Sequence, residues 1–67
     1  MTFREAISFG EEKLNIAGID DAKHDAWLLL TFICKIDRTF YYVHMDDDMP
    51  VEQVAEYENV LNKFKVL

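Results

Sequence analysis

One stretch decides the fold of this 67-residue chain: AGIDDAKHDAWLLLTFICKIDRT, residues 17–39. Gly18 is typical of a helix end, because only glycine adopts the left-handed C-terminal conformation without a steric penalty. Asp20 or Asp21 can cap the next helix and complement its positive end. We expect that second helix to cover about residues 21–34. The stretch therefore predicts two helices joined by a tight turn.

Toward the N terminus, the sequence predicts a first helix. Thr2 and Glu5 form a Thr-x-x-Glu capping box, so this helix should begin near Phe3. Ile19 can close its C-terminal turn by folding back onto an apolar stripe. The residues of that stripe recur at steps of three and four and should face the core: Phe3, Ala6, Ile7, Gly10, Leu14 and Ala17.

The second helix is apolar over more than half of its circumference, so we interpret it as the central helix of a bundle. Its buried face should comprise Ala22, Ala26, Leu29, Leu30 and Ile33, widened by Leu28 and Phe32. Cys34 is the only cysteine, which excludes an internal disulfide and favours a reducing compartment. We interpret it as a small buried hydrophobic residue.

A short third helix should follow, capped by Asp37 and running from Arg38 to about His44. Residues 40–43 also favour a strand, but a single strand has nothing to pair with among helical segments. Helix is therefore the better interpretation of this segment.

A last helix is expected over about Pro50 to Lys65, because proline suits the first helical turn, where its missing amide hydrogen is not needed. Its packing seam should be Val51, Val54, Tyr57, Leu61 and Phe64. The sequence thus predicts one all-α domain, residues 1–67, folded as a small bundle of four to five helices.

The net charge of −6 argues against nucleic-acid binding by this chain, since its few lysines and arginines are scattered along the sequence. A basic protein partner would be compatible with that charge. No apolar run approaches the roughly 20 residues that cross a bilayer, and the first residues lack the pattern of a signal peptide. We therefore expect a soluble cytoplasmic protein that does not bind membranes.

Two charged and two aromatic residues are candidates for special roles. Asp25 and Arg38 lie beside strongly apolar stretches, so we expect them to pair, or each to bond the end of a neighbouring helix. Trp27 and Tyr41 either fill the margin of the core or anchor an interface with a partner. The core margin is the commoner role for such residues.

The acidic run Asp46, Asp47 and Asp48 is interpreted as a solvated connector, with an anionic docking patch as the alternative. It lacks the alternating ligands, the glycine and the distal glutamate of a calcium loop, so we expect no metal there. His24 and His44 lack metal-ligand spacing and are expected to be structural or exposed. No nucleophile and base stand together, and no catalytic or cofactor-binding residue is assigned to this chain.

Five short motifs follow one another in an informative order: Arg4-Glu5-Ala6, Ala17-Gly18-Ile19, Asp25-Ala26 with Leu28-Leu29-Leu30, Arg38-Thr39 and Glu52-Gln53. This order resembles the N-terminal helical domain of the peptide-chain release factor glutamine methyltransferases, the PrmC/HemK family. The resemblance covers nearly all 67 residues. It implies a helical bundle that precedes a Rossmann-like catalytic domain.

The resemblance also implies a function. Such enzymes use S-adenosylmethionine to methylate the side-chain amide of the glutamine in the Gly-Gly-Gln loop of class I release factors, and the N-terminal domain helps to recognise the release factor. The expected partners are therefore class I release factors and the chain's own catalytic domain, which would hold the cofactor. The alternative is a free-standing helical interaction or regulatory module, because fold similarity alone does not fix function.

Overall fold

Among residues 1–64, a computed structural model contains four helices: α1 (Phe3–Ile16), α2 (Ala22–Cys34), α3 (Arg38–His44) and α4 (Val51–Leu61). The structure describes residues 1–64. No β-strand occurs within this range, so the predicted all-α bundle is confirmed. The predicted end of the last helix at Lys65 lies outside the described residues, and α4 ends four residues earlier, at Leu61.

The capping box at the start of α1 forms as predicted. The Thr2 hydroxyl accepts a hydrogen bond from the Glu5 amide at 3.1 Å, and the Glu5 carboxylate accepts one from the Thr2 amide at 2.8 Å. The second of these bonds holds the pKa of Glu5 below its ordinary value, because it favours the charged carboxylate. The first turn of α1 is therefore fixed by local interactions.

The end of α1 is a Schellman motif built on Gly18, as the sequence predicts. Gly18 has a φ of 82°, and its amide donates to the Asn15 carbonyl at 3.0 Å. The Ile19 amide donates to the Leu14 carbonyl at 2.9 Å, and the Ile19 side chain packs against the core. This arrangement satisfies carbonyls that a helix end leaves unpaired.

The ends of α2 differ from the prediction in detail. Asp21 occupies the N-cap position, but its side chain makes no capping hydrogen bond. At the other end Lys35 adopts the left-handed conformation, with φ 55° and ψ 48°, and its amide donates to the Thr31 carbonyl. The left-handed conformation is unfavourable by about 1–2 kcal/mol for a residue other than glycine.

Replacing Lys35 with glycine should therefore raise the free energy of unfolding by about 0.5–1 kcal/mol, because relief of the backbone strain exceeds the entropy that glycine adds to the unfolded chain. Urea denaturation measures the change. Gly18→Ala is the matched control and should lower the free energy of unfolding. A Cβ at residue 18 meets no atom within 4 Å, so only the unfavourable left-handed backbone conformation destabilises this variant. A destabilised Lys35→Gly protein would show that the lysine side chain itself supports the fold.

The core lies where α1 and α2 pack together and α4 lies against both. The predicted α1 stripe is confirmed, with Ala17 only half-buried at its end. Cys34 is buried, as predicted. α2 was expected to be the central helix by itself, but α1 also contacts both other long helices, so the two helices share the central position. The buried apolar side chains are Phe3, Ala6, Ile7, Leu14, Ala22, Ala26, Leu30, Cys34, Met49, Tyr57 and Leu61.

The predicted buried face of α2 was too wide. Leu28 is 49% exposed and Phe32 is 81% exposed. The buried residues of α2 follow one another at steps of four, and Leu28 and Phe32 lie midway between them in sequence, on the other side of the helix. Only one side of α2 meets α1 and α4, so these two side chains remain at the surface.

The packing seam of α4 was likewise predicted too long. Tyr57 and Leu61 are buried, and Val54 packs against the core. Val51 and Phe64 are exposed, because they lie at or beyond the ends of α4, outside the stretch that crosses α1 and α2. Pro50 is the N-cap of α4 rather than a residue of its first turn.

Tyr57 joins the three long helices at one point. Its hydroxyl donates to the Ala6 carbonyl of α1 at 3.0 Å and lies 3.5 Å from the Ala26 carbonyl of α2. The hydroxyl occupies space that a side chain at Gly10 would fill, since a Cβ built there would lie 2.0 Å from it. The close approach of these helices explains a glycine in the middle of α1.

The connector between α3 and α4 is bound to the start of α1 through its backbone. The Arg4 amide donates to the Met45 carbonyl at 2.9 Å, the Phe3 amide to the Asp47 carbonyl at 3.3 Å, and the Met49 amide to the Met1 carbonyl at 2.9 Å. The Phe3 and Arg4 amides belong to the first turn of α1 and have no partner within the helix. The three acidic side chains are exposed, as predicted for a solvated connector, and the backbone bonds to α1 are a feature that the sequence did not predict.

α3 begins where the sequence predicts, because the Asp37 carboxylate accepts a hydrogen bond from the Phe40 amide at 2.8 Å. Neither α3 nor any other helix among residues 1–64 has the length and apolarity needed to span a lipid bilayer.

Candidate protein-binding site

Trp27 of α2 and Tyr41 of α3 are in contact through their rings. Their ring centroids are 5.0 Å apart and their planes are nearly perpendicular, at 88°. Tyr41 makes a second edge-to-face contact with Tyr42 at 5.7 Å. Trp27 and Tyr41 are half-buried against the core, whereas Tyr42 is exposed. The three rings form an aromatic row that fills the core margin at one end and reaches solvent at the other.

Arg38 lies over this row rather than beside Asp25. Its guanidinium carbon is 5.0 Å from the centroid of the Trp27 ring, a cation–π arrangement. The structure does not bring Asp25 and Arg38 into the predicted ion pair, because Asp25 precedes Trp27 by two residues and such residues point to different sides of a helix. Within residues 1–64, neither the Asp25 nor the Arg38 side chain forms a hydrogen bond with the end of a neighbouring helix. Asp25 lies in the first turn of α2, where a negative charge is favourable.

A shallow groove of about 540 Å³ runs beside the aromatic row. Lys23, His24 and Asp21 line it from the start of α2, and Arg38, Tyr41 and Tyr42 line it from α3. Burial raises the pKa of the Tyr41 hydroxyl, which therefore stays protonated and able to donate a hydrogen bond at neutral pH. The groove thus offers cationic groups, hydroxyl donors and aromatic surface together.

The acidic run interacts with positive groups of the same chain. Asp46 forms a two-point ion pair with Arg4, with Nε–Oδ1 at 3.0 Å and Nη2–Oδ2 at 3.3 Å. His44 Nδ1 lies 2.8 Å from Asp47 Oδ2, and the N-terminal ammonium lies 3.8 Å from Asp48 Oδ1. These pairs tie the connector to the start of α1, although all three carboxylates remain largely exposed.

The other side chains that could bind a metal ion do not cluster in the described part of the chain. No three His, Cys, Asp or Glu side chains of residues 1–64 come together as a group that could hold a metal ion. His24 lines the groove, and His44 stacks on Phe40 with ring centroids 4.4 Å apart. Burial raises the pKa of the Cys34 thiol, which keeps it in its unreactive protonated form.

The sequence interpretation overlooked Lys23 and His24 as parts of this groove. A local signal for one of them existed, because Lys23 precedes Trp27 by four residues and the two therefore share a face of α2. The contribution of Tyr42 depends on how α3 packs, which no spacing within one helix reveals.

Comparison with known proteins relates the domain to one protein family. The model of a protein family described as the PrmC N-terminal domain matches residues 5–65, which include almost all of α1 and all of α2, α3 and α4. Searches of curated proteins and of solved structures found no match to the chain.

Proposed function

Since this chain belongs to the PrmC N-terminal domain family, we propose that it recognises the protein substrate of an S-adenosylmethionine-dependent methyltransferase. The substrate is a class I peptide-chain release factor, and the methyl acceptor is the glutamine side-chain amide of its Gly-Gly-Gln loop. The chain's own catalytic domain holds the cofactor and performs the transfer. The family match is the observation that carries this proposal.

The shape and chemistry of the domain support a binding role. The aromatic row and Arg38 present the residue types that most often dominate protein interfaces, namely Trp, Tyr and Arg. Trp27 and Tyr41 pack against the buried core, which holds them in place before a partner arrives and reduces the entropy lost on binding.

A recognition domain raises the rate of methylation through positioning. When a release factor is held at one surface, delivery of its glutamine to the catalytic pocket becomes an intramolecular step with a high effective concentration. The domain needs no reactive group of its own for this effect. It needs only a rigid surface that binds the substrate away from the reacting atoms.

Titration of the ¹⁵N-labelled 67-residue protein with a class I release factor tests the proposal. We expect binding with a Kd of about micromolar or tighter at about 0.15 M salt, with amide shifts concentrated in α2 and α3. An unrelated acidic protein of similar size is the control and should leave the spectrum unchanged. If release factors cause no shifts, the chain is not their recognition domain, and the free-standing interaction module becomes the better interpretation.

A further inference from the structure

The groove between α2 and α3 is cationic, although the whole chain carries a net charge of −6. Two permanent cations, Lys23 and Arg38, line it together with His24, against the single carboxylate of Asp21. Arg4 does not line the groove, and its guanidinium is paired with Asp46. The lining of the groove therefore carries a net positive charge, although the domain as a whole is acidic.

Helix electrostatics do not account for the position of these cations. Lys23 is the second residue of α2 and Arg38 is the first residue of α3. The N-terminal end of a helix dipole is positive, so cations there are unfavourable. Residues that break a local rule of this kind are expected where function requires them.

The groove also offers apolar surface between its charges. Trp27, Tyr42 and Met45 line it, and the buried Ile7 of α1 forms part of its floor. A carboxylate can bond the guanidinium of Arg38 at two points while a neighbouring apolar side chain packs on an aromatic ring. This combination suits a segment in which acidic and apolar residues alternate or adjoin.

We propose that this groove binds an acidic segment of the partner protein, with carboxylates on Arg38 and Lys23 and an apolar side chain on Trp27 and Tyr42. The inference rests on the proposed function, because the partner is the release factor. An acidic segment differs from the basic partner with which the overall charge is compatible. The carboxylates of that run already lie beside Arg4, His44 and the N terminus.

A short peptide segment fits this charge distribution better than a nucleic acid does. The domain measures about 36 × 22 × 16 Å, and charges interact over about 8–10 Å at moderate salt. A few carboxylates in the groove are attracted by its local cations. An extended phosphate backbone would also meet the acidic residues on the rest of the surface.

Removal of the Arg38 charge tests the proposal directly. Arg38→Gln should weaken release-factor binding about tenfold, because a desolvated carboxylate of the partner loses its charged donor. Lys13→Gln is the matched control: it also removes one positive charge, but Lys13 lies over Phe9 on α1 and does not line the groove. It should change the Kd less than twofold. Arg38→Lys should fall between the wild-type protein and Arg38→Gln, because lysine keeps the charge but not the planar fork.

The outcomes separate this inference from the proposed function. Arg38 is exposed, and circular dichroism establishes that each variant is folded before binding is measured. If the wild-type protein binds release factors and Arg38→Gln binds them equally well, the groove is not the binding site, and the proposed function stands. Equal weakening by Arg38→Gln and Lys13→Gln also rejects the groove as the binding site, because only the overall charge would then matter.

Two further results are decisive. Failure of the wild-type protein to bind release factors rejects the proposed function, and the inference falls with it. A single-stranded oligonucleotide of about 12 nucleotides should leave the fluorescence of Trp27, the only tryptophan, unchanged. An Arg38-dependent change in that fluorescence would identify the groove as a nucleic-acid site instead.

Discussion

Replacing Gly10 with alanine should lower the free energy of unfolding by about 1–3 kcal/mol. The new Cβ would lie 2.0 Å from the Tyr57 hydroxyl and 3.0 Å from the Cβ of Ala26. The Tyr57 hydroxyl cannot simply move aside, because its ring is fully buried and it donates to the Ala6 carbonyl. Either the hydrogen bond is lost or the helices move apart.

The gain in helix propensity is too small to reverse this effect. Alanine is favoured over glycine in a helix interior by about 1 kcal/mol. Overpacking of a close contact is unfavourable by about 1–3 kcal/mol, and a buried hydrogen bond contributes about 1 kcal/mol more. A domain of this size has a total stability of only about 3–10 kcal/mol, so the melting temperature should fall by roughly 5–20 °C.

Thermal melting followed by circular dichroism measures the change, and two variants make the test specific. Ser8→Ala, at an exposed position of α1, should change stability by no more than about 0.5 kcal/mol. Tyr57→Phe should destabilise the wild-type protein but stabilise Gly10→Ala, because it removes the atom that clashes. If Gly10→Ala melted at or above the wild-type temperature, the close packing of Tyr57 on α1 would be wrong.

The packing of Tyr57 against Gly10 also affects the groove. Ile7 lies one helical turn before Gly10 on the buried face of α1, and it forms part of the groove floor. α2 carries Trp27 next to Ala26, whose Cβ lies against Gly10. Separation of α1 from α2 would therefore displace the aromatic row as well as weaken the core.

Both ends of α1 and the start of α3 could be predicted because the interactions that set them are local. Thr2 with Glu5, Gly18, and Asp37 each act within a few residues of the sequence, and each forms the predicted structure. The face of α1 was also predictable, because its apolar residues follow a single stripe. On α2 the apolar residues surround most of the helix, so periodicity could not show that Phe32 is exposed.

Long-range packing explains what the sequence did not reveal about the candidate site. Trp27 and Tyr41 were identified as candidates, but their contact depends on the angle at which α3 leaves α2. The pairing of Arg4 with Asp46 joins residues 42 positions apart. Once Asp46 is paired in this way, the acidic run becomes part of the bundle, and the groove becomes the better candidate for the partner.

The stability of the domain should fall steeply above about pH 10, because Tyr57 must keep its proton in the folded state. Its hydroxyl donates to the Ala6 carbonyl in a fully buried site, and burial raises the pKa of Tyr57 far above the ordinary value of 10.0. Above that value the unfolded chain releases the proton while the folded chain retains it. The folded state then binds more protons, so the free energy of unfolding decreases by about 1.4 kcal/mol per pH unit for this group.

Cys34 and Tyr41 act in the same direction, because burial raises the pKa of both. Their contributions are intact below their ordinary values, 9.0 for the thiol and 10.0 for the phenol, and decline above them. Urea denaturation at a series of pH values between about 8 and 11 measures the combined slope. Tyr57→Phe should reduce that slope by about one proton above pH 10. An identical slope in Tyr57→Phe and the wild-type protein would show that the Tyr57 hydroxyl is not held protonated in the core.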